Sequence, residues 1–355
     1  MSEWSVAEAA LKWGVSERRV IALITNGRVV ARKQGRRWLI PVGTPKPADE
    51  RKYRYLDIDE SLIGVLASVD AMKTELARRR PLTAGELDQI RHEFAVEYTY
   101  DSNAIEGSTL TLRETALILE GLTIGEKPLK EHLEAIGHRD AYDYVERLAA
   151  ATPREPLTER IIKEIHFLVL PDRPLDRGNF RSVPVRILGT SHHPPEPYLV
   201  REKVETLLAS VLIDRHHPIE RAARFHLEFE SIHPFIDGNG RTGRLLLNLM
   251  LLQDGYLPIN IKYADRRRYY DCFQTWDDHH DPLPMITLVA QYAKDRLETW
   301  LSTMDQIPSP DGLLLPTASR ESSAAHTHRL VDQLTSVSQG RGALVQPAHH
   351  AGQFG

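Results

Sequence analysis

Apolar residues recur every three or four positions along most of the chain between residues 58 and 304. That spacing places them on one face of a helix, and it is typical of helices packed around a common core. The segments with this pattern are Leu62 to Leu76, Leu87 to Tyr98, Leu110 to Leu119, Lys130 to Leu148, Thr158 to Val169, Lys203 to Leu212, Glu220 to Ile232, Thr242 to Leu252 and Pro284 to Leu301. We therefore predict a mainly α fold, a helical bundle over residues 58–304.

One segment departs from this helical spacing. Residues Phe180 to Leu188 alternate in character and are rich in β-forming types. They precede a run of Gly, Thr, Ser, His and Pro residues from Gly189 to Pro197, which is typical of a turn. We therefore predict a short β-hairpin that interrupts the bundle.

The first 42 residues show a different order of elements, with two short helices before two short strands. Ser5 is placed to cap a helix from Val6 to Trp13, and a second helix follows after a break at Gly14. The strands Arg28 to Ala31 and Trp38 to Ile40 flank a polar, basic turn. This order predicts a small winged helix-turn-helix domain.

Two further segments lack any regular pattern. Residues 43–57 contain Pro45 and Pro47 and are predicted to form a linker. Residues 305–355 are rich in Ser, Pro, Gly, Ala and His, so they bury too little apolar surface to offset the entropy of ordering. We expect a disordered tail there.

Composition narrows the class of protein. The 355 residues are 41% hydrophobic and 26% charged, which is typical of a globular protein and excludes a wholly disordered chain. The single cysteine, Cys272, excludes an internal disulfide framework and a thiolate-rich zinc site. There is no apolar run of about 20 residues and no signal peptide after Met1, so we expect a cytoplasmic location.

The charge is unevenly distributed. Residues 1–55 contain twelve Lys or Arg and five Asp or Glu, which gives a net charge of +7. The whole chain has a net charge of −4, so the remaining residues carry −11. A basic head on an acidic body favours duplex DNA as a partner of the head.

The run from His233 to Arg244 concentrates reactive side chains between two predicted helices. Its glycines, Gly238, Gly240 and Gly243, free the backbone to form an anion-binding turn at a helix N-terminus. Arg241 and Arg244 are spaced to grip consecutive phosphates, Asp237 is a ligand suited to Mg²⁺ shared with a polyphosphate, and His233 is the natural base for a hydroxyl nucleophile. The residues together predict nucleotidyl transfer.

This run resembles in full the His-x-Phe-x-Asp/Glu-Gly-Asn-Gly-Arg-x-x-Arg motif of the Fic domain. The resemblance implies a protein adenylyltransferase that moves AMP from ATP, with Mg²⁺, to a Ser, Thr or Tyr hydroxyl of a target protein or of itself. It also implies that the hairpin is the flap that holds the target. The implied roles are His233 as base, Asp237 as metal ligand, Gly238, Asn239 and Gly240 at the α-phosphate, Arg241 and Arg244 at the outer phosphates, and Tyr269 and Tyr270 near adenine or in the core.

A second stretch, Ser102 to Gly107, is similar to the Fic inhibitory motif Ser/Thr-x-x-x-Glu-Gly/Asn. By that resemblance Ser102 and Glu106 belong to an intramolecular inhibitor, and Glu106 pairs with Arg244 in the place of the γ-phosphate. The alternative is a glutamate that only ends a helix.

The basic head resembles the excisionase-like and MerR-related winged helix-turn-helix. By that resemblance Arg18 and Arg19 face the major groove while Lys33, Arg36 and Arg37 neutralise phosphates. The alternative is a small domain that docks on a protein.

Three alternatives for function stay open. The chain could be a DNA-binding regulator whose Fic body senses nucleotide or partner, or it could remove AMP from a modified target. The same motif also serves transfers from other nucleotides or of phosphocholine. A homo-oligomer is compatible with each of these.

Overall fold

A computed structural model describes the protein over most of its length. The described residues are 3–13, 17, 20–21, 24, 29–35, 37–42, 44, 60–79, 84–187, 190 and 192–306. The chain divides into two compact units, Met1–Arg54 and Tyr55–Gly355. The predicted linker, except Thr44, and the predicted tail beyond Gln306 lie outside the described residues.

The first unit contains a three-stranded antiparallel sheet with the strand order β1-β3-β2. The strands are β1 (Glu3–Ser5), β2 (Arg32–Gln34) and β3 (Arg37–Pro41), and helix α1 (Val6–Trp13) follows β1. The helix and sheet enclose a small core. Its buried members are Ala9, Ala10, Trp13, Val20, Ile24, Val29 and Ile40.

The wing differs from its predicted boundaries. The turn between β2 and β3 is only two residues long and contains Gly35 at φ 62°, so Gln34 pairs directly with Arg37. Lys33 and Gln34, which we placed in the turn, therefore belong to the strand, and residues 29–31, the described part of the predicted strand 28–31, form no strand. Strand β1 was not predicted.

The predicted DNA-binding residues are only partly visible in this unit. Lys33 is exposed on β2, with its Nζ 5.5 Å from the ring centre of Trp38. Arg37 belongs to β3, and its side chain is not among the described ones. Arg18, Arg19 and Arg36 lie outside the described residues.

The second unit is helical, as the apolar spacing predicts. Its α-helices are α2 (Glu60–Arg78), α3 (Ala84–Ile105), α4 (Leu112–Leu119), α5 (Leu129–Ala150), α6 (Glu159–Val169), α7 (Val200–Ile213), α8 (Pro218–Ile232), α9 (Asn239–Gln253), α10 (Arg266–His279) and α11 (Leu283–Gln306). Short 3-10 turns, Pro197–Leu199 and Tyr263–Asp265, precede α7 and α10.

Helix α9 lies at the centre of the bundle. Nearly all of its residues are buried, and it packs against α5, α6 and α8. This explains why its later part, Leu245 to Leu252, is apolar on nearly every side rather than on one stripe, with Asn248 as its polar residue. A central helix surrounded by others gives the loop at its N-terminus a rigid base.

The predicted hairpin does not form paired strands in its described part, residues 180–187. The backbone N–H of Arg181 donates to the carbonyl of Pro234 at 2.9 Å, so it is used outside the segment. Pro184 has no N–H to donate. Residues 180–187 are therefore irregular and are bonded to the loop after α8, and the predicted strand pairing is wrong for these residues. Within the described residues, no helix is long and apolar enough to cross a membrane.

Candidate active site

His233 lies where helix α8 ends. Its backbone N–H donates to the carbonyl of Phe229 at 3.0 Å, and its backbone has φ 48° and ψ 61°. This left-handed conformation costs a residue with a side chain about 1–3 kcal/mol and persists only where the surroundings require it. It ends the helix and turns the chain into the loop that leads to α9.

The loop is closed by the side chain of Asn239. Its Oδ1 accepts the N–H of Phe235 at 2.9 Å, and its Nδ2 donates to the Phe235 carbonyl at 2.9 Å. We expected the Asn239 side chain to hold phosphate, but its buried carboxamide bonds the loop itself. Only the backbone N–H of Asn239 can then make the predicted phosphate contact. The first N–H groups of a helix have no hydrogen-bond partner within the helix.

His166, on α6, holds the other side of the loop. Its ring stacks on Phe235 with the ring centres 3.6 Å apart. Its Nδ1 accepts the N–H of Gly178 at 2.9 Å, which assigns the ring proton to Nε2, and Nε2 donates to the Asp237 carbonyl at 2.9 Å. Burial lowers the pKa of His166 to about 4, so the ring is neutral and keeps this arrangement at neutral pH.

Asp237 and Gly238 lead into helix α9. Gly238 is the N-cap residue and has φ 75°, which glycine adopts without strain. The Oδ1 atom of Asp237 accepts the Gly238 N–H at 2.7 Å, while the Asp237 side chain stays 36% exposed. The positive end of the α9 dipole and its unpaired N–H groups make this turn suited to an anion.

A cavity of about 390 Å³ opens beside the loop. Its walls come from the end of α3, from α8, α9 and α10, and from the segment between α6 and α7. The lining residues are Glu106, Ile187, Thr190, His192, Glu230, Ser231, His233, Gly240, Arg244, Tyr269, Tyr270, Phe273, Gln274 and Asp277. The predicted base, one predicted phosphate-binding arginine and the predicted inhibitory glutamate therefore share one cavity.

Arg244 is buried at the base of this cavity and is held by the predicted inhibitory stretch. Its Nη2 donates to Oε1 of Glu106 at 2.8 Å and to the Ser102 carbonyl at 2.8 Å. Its Nε donates to Oγ of Ser102 at 3.0 Å. The side chain of Arg244 is 2% exposed and that of Glu106 is 35% exposed. The cavity thus reaches the carboxylate of Glu106, and behind it lies the guanidinium.

Gly240 makes the position of Glu106 possible. A Cβ atom at residue 240 would lie 2.1 Å from Oε1 of Glu106 and 3.1 Å from Nη1 of Arg244. The absence of a side chain therefore leaves room for an oxygen atom directly above the first turn of α9. Such an oxygen can belong to a carboxylate or to a phosphate.

Arg241 does not line the cavity. Its Nη1 lies 2.9 Å from Oε1 of Glu134, on α5, and donates to Oδ1 of Asn103 at 3.4 Å. Its side chain is only 3% exposed, so these contacts join three helices inside the protein. The phosphate contact implied for Arg241 stays a prediction, and it requires the guanidinium to reach past these partners.

The two tyrosines on α10 differ in exposure. Tyr269 is buried, and its hydroxyl pairs with Nε2 of His226 at 2.8 Å and accepts from Nη1 of Arg244 at 3.4 Å. Tyr270 is 46% exposed and donates its hydroxyl proton to the Ile105 carbonyl at 3.0 Å. Both line the cavity, and only Tyr270 offers a partly exposed ring face.

The chain is similar to known proteins over this region. The Fic/DOC family matches residues 156–251. A C. elegans structure, Fic-1 residues 134–508, has a TM-score of 0.62 and 30% identity, covering 69% of this chain and 73% of that one. The chain belongs to the Fic family. A Fic-domain protein from Bacteroides thetaiotaomicron also has a TM-score of 0.62, at 25% identity over 71% of this chain and all of that one.

Sequence relatives carry the name protein adenylyltransferase Fic. The Nematostella vectensis protein is 36% identical over 234 residues, and the Drosophila melanogaster protein is 33% identical over 267 residues. These matches cover 64% and 72% of this chain, but 54% and 53% of the relatives. The chain therefore spans about half the length of these Fic proteins.

Burial sets the charge of the Fic-motif histidine. It lowers the pKa of His233 to about 4, because an imidazolium is poorly solvated there. At neutral pH the ring is therefore neutral and able to accept a proton. Burial acts in the opposite direction on Glu230, and together with the negative charge of Glu106 it raises the pKa of that carboxyl to about 8.

Arg181 is a residue that sequence reasoning missed. It is buried, its Nε donates to the carbonyl of His233 at 2.8 Å, and its Nη1 donates to the Val183 carbonyl at 3.2 Å. Its Nη2 donates to the carbonyl of Pro195 at 2.5 Å. The flap segment is thereby fastened to the Fic motif. The sequence offered no clear signal for this role, since Arg181 is one of two arginines in the segment from Phe180 to Leu188.

His192 fixes the flap segment at one wall of the cavity. Its Nε2 donates to the Ser231 carbonyl at 2.8 Å, and its Nδ1 lies 3.5 Å from Oδ1 of Asp277. Thr190 donates to the other oxygen of Asp277 at 2.9 Å. These contacts tie the base of the flap to α8 and α10. Among the described residues, no group of three or more His, Cys, Asp or Glu is arranged to hold a metal ion.

Proposed function

We propose that this chain transfers AMP from ATP to a Ser, Thr or Tyr hydroxyl of a target protein. The observation that carries the proposal is the single cavity shared by the neutral His233, the N-terminus of α9 and Arg244. A base for the hydroxyl and an anion site for phosphates are thus adjacent. The names of the sequence relatives support the same reaction.

The steps follow from this arrangement. The hydroxyl oxygen attacks the α-phosphorus of ATP while its proton passes to Nε2 of His233. The bond between the α-phosphorus and the bridging oxygen of the β-phosphate breaks, so AMP joins the target and pyrophosphate leaves. The backbone of Gly240 and the guanidinium of Arg244 are placed to hold the phosphates, which supplies orientation and charge stabilisation.

Asp237 fits a role as the Mg²⁺ ligand. It is partly exposed, one of its oxygens accepts the Gly238 N–H, and it lies beside the N-terminus of α9. A single carboxylate is enough, because Mg²⁺ in nucleotide sites completes its shell with phosphate oxygens and water. Bound there, Mg²⁺ would offset phosphate charge.

We propose further that Glu106 inhibits the transfer. Its carboxylate is paired with the guanidinium of Arg244, which would bind the outer phosphates of ATP. The carboxylate and a phosphate would repel each other if both were bound to this one cation. Gly240 leaves space for one oxygen atom at this point, so Glu106 and phosphate compete for the same position.

The experiment that tests the transfer uses α-³²P-labelled ATP and intact mass spectrometry. In the presence of Mg²⁺ we expect one AMP unit to appear on the chain or on a target, and His233→Ala to abolish this label while ATP binding persists. His193→Ala, at an exposed position of the flap base, is the matched control. Because Glu106 restrains the wild type, the comparison is repeated in the Glu106→Gly background, and equal labelling there with and without His233→Ala would refute the role of His233.

We also propose that the N-terminal unit binds duplex DNA. The net charge of +7 over residues 1–55 and the exposed Lys33 on β2 support this. Neutralised phosphates release counterions, so affinity should fall steeply with salt. In the full chain, replacing Lys33, Arg36 and Arg37 with Ala should flatten that dependence, whereas no binding at low salt would favour a protein-docking domain.

A further inference from the structure

The Nδ1 atom of His233 makes no well-aligned hydrogen bond among the described residues, although the backbone of Glu230 is close enough to act against the lowering of the His233 pKa. This Nδ1 is shielded from solvent and lies 3.9 Å from Oε2 of Glu230, one helical turn earlier on α8. A base that takes a proton at Nε2 needs its Nδ1–H held in place, because otherwise the ring can turn or present the wrong tautomer. Glu230 is the carboxyl group within reach of that atom.

The carboxyl of Glu230 has a space built for it. A Cβ atom at Gly243 would lie 2.2 Å from Oε1 of Glu230, so any other residue at 243 would displace it. Gly243 is in the second turn of α9, inside the helix, where glycine is unfavourable by about 1 kcal/mol relative to alanine. Oε1 of Glu230 is itself buried and has no partner among the described residues. The helix thus leaves room for a carboxyl oxygen that makes no hydrogen bond to the described residues.

We propose that Glu230 is a positioning residue for His233, and that its carboxylate accepts the Nδ1–H so that the free Nε2 faces the reacting hydroxyl. This inference rests on the proposed AMP transfer, in which His233 is the base. Rotation of the Glu230 side chain would close the separation of 3.9 Å to hydrogen-bond distance, and its Oε1 has no partner among the described residues that would oppose the rotation.

The proton balance is simple. The target hydroxyl gives its proton to Nε2, which makes His233 an imidazolium, and the Nδ1 proton stays between the ring and Glu230. The negative carboxylate offsets the new positive charge inside a buried site, as the acidic member of a hydrolase triad does. The proton later leaves Nε2 to solvent, and Glu230 ends as it began.

The pairing depends on the ionisation of Glu230, which the neighbouring groups control. Burial and the charge of Glu106 hold the pKa of Glu230 near 8, and Arg244 acts against them. Below that pH the carboxyl is neutral and does not offset an imidazolium. The other titratable groups that face the pair are His226 on α8, Arg181 and His192 from the flap segment, and Tyr269 and Tyr270 on α10. Glu106 therefore acts on the site in two ways: it pairs with Arg244, and its charge keeps Glu230 protonated to higher pH.

The direct test is an NMR titration of the full chain with labelled histidine, with His233 assigned from its absence in His233→Ala. We expect the His233 ring signals to shift with a midpoint near pH 8 in wild type and to lose this transition in Glu230→Gln. Glu228→Gln is the control, because Glu228 is on the same helix, its pKa is also raised by burial, and it lines a different cavity. His233 signals that show no transition near pH 8, or the same one in Glu230→Gln, overturn the proposal.

A kinetic test uses Glu106→Gly as the background. There Glu230→Gln should lower kcat for AMP transfer by about 10- to 100-fold with little change in KM for ATP, and Glu228→Gln should not. An unchanged kcat in Glu230→Gln contradicts the positioning role. Absence of transfer in every variant refutes the proposed function, while the NMR titration still decides whether Glu230 pairs with His233.

Discussion

Glu106 and Arg244 are 138 residues apart in the sequence, yet Oε1 of one accepts a hydrogen bond of 2.8 Å from Nη2 of the other. The carboxylate lies over Gly240, where no side chain intervenes between α3 and the first turn of α9. Ser102 supports the same guanidinium with its hydroxyl and its carbonyl. The stretch from Ser102 to Gly107 therefore binds Arg244 within one chain, as the proposed autoinhibition requires.

Removal of this carboxylate should increase AMP transfer. A hydrogen bond to a charged group contributes about 1.5–3 kcal/mol, so we expect Glu106→Gly to raise the initial rate by about 10-fold or more. Labelled ATP measures the rate. Glu126→Gly, at an exposed loop position, is the matched control and should leave it unchanged.

The double variant Glu106→Gly with Arg244→Ala distinguishes two roles of Glu106. In the first role the glutamate inhibits the transfer, and in the second it only ends a helix. The double variant should lose most of the gain, because in the proposed function the released guanidinium binds phosphate, and two residues that act on one partner are not additive. A rate in Glu106→Gly equal to or below that of the wild type, in protein shown to be folded, would contradict autoinhibition.

Periodicity in the sequence was sufficient for the helical body, because buried helices such as α8 repeat apolar residues at the helical spacing. It failed at Phe180 to Leu188, where alternation suggested strands. There the backbone N–H of Arg181 bonds to Pro234 and its side chain to His233, and alternation within a segment carries no information on partners outside it.

The same limit applies inside the site. The resemblance implied that Glu106 reaches Arg244, and the structure brings these two together. It gave no sign that Arg241 pairs with Glu134 or that Asn239 closes the loop, because those contacts depend on the packing of α5 and on the turn after His233. Glu230 was invisible as a functional residue, since only the fold places it beside His233.

Asn239→Ala should destabilise the protein through the loop. The substitution leaves the N–H and the carbonyl of Phe235 without their buried partners, which costs about 2–4 kcal/mol in the free energy of unfolding. Denaturant unfolding measures this. The control is Asn179→Ala, whose exposed side chain donates to the Leu175 carbonyl and should cost far less. Equal losses in the two variants would show that the loop bonds of Asn239 do not stabilise the fold.

Stability should fall as the pH drops below neutrality, in part because of His226. Burial lowers the pKa of this histidine from 6.5 to about 3, so between those values the unfolded chain binds a proton that the folded chain does not. The contribution is present above the unfolded pKa and is lost as the pH falls. For His226 alone we expect a loss of about 2 kcal/mol between pH 7 and pH 5.

The variant His226→Gln tests this assignment. It removes the titrating group, so the difference in unfolding free energy between pH 7 and pH 5 should shrink by about 2 kcal/mol relative to wild type. His193→Gln, at an exposed position, should leave the difference unchanged. An identical pH dependence in wild type and His226→Gln would show that His226 does not contribute to the acid lability.

Asp237 should couple nucleotide binding to Mg²⁺. In wild type we expect chelation of the metal by EDTA to weaken ATP binding, measured by calorimetry, because phosphate charge is then no longer offset. In Asp237→Ala, EDTA should have little further effect.

This variant also removes the acceptor for the Gly238 N–H, so a change in the loop has to be excluded. Asp237→Asn does so, since its carboxamide oxygen still accepts that bond while the ligand charge is gone. If Asp237→Asn binds ATP with the same Mg²⁺ dependence as wild type, the charge of Asp237 does not hold the metal, and the loss in Asp237→Ala belongs to the shape of the turn.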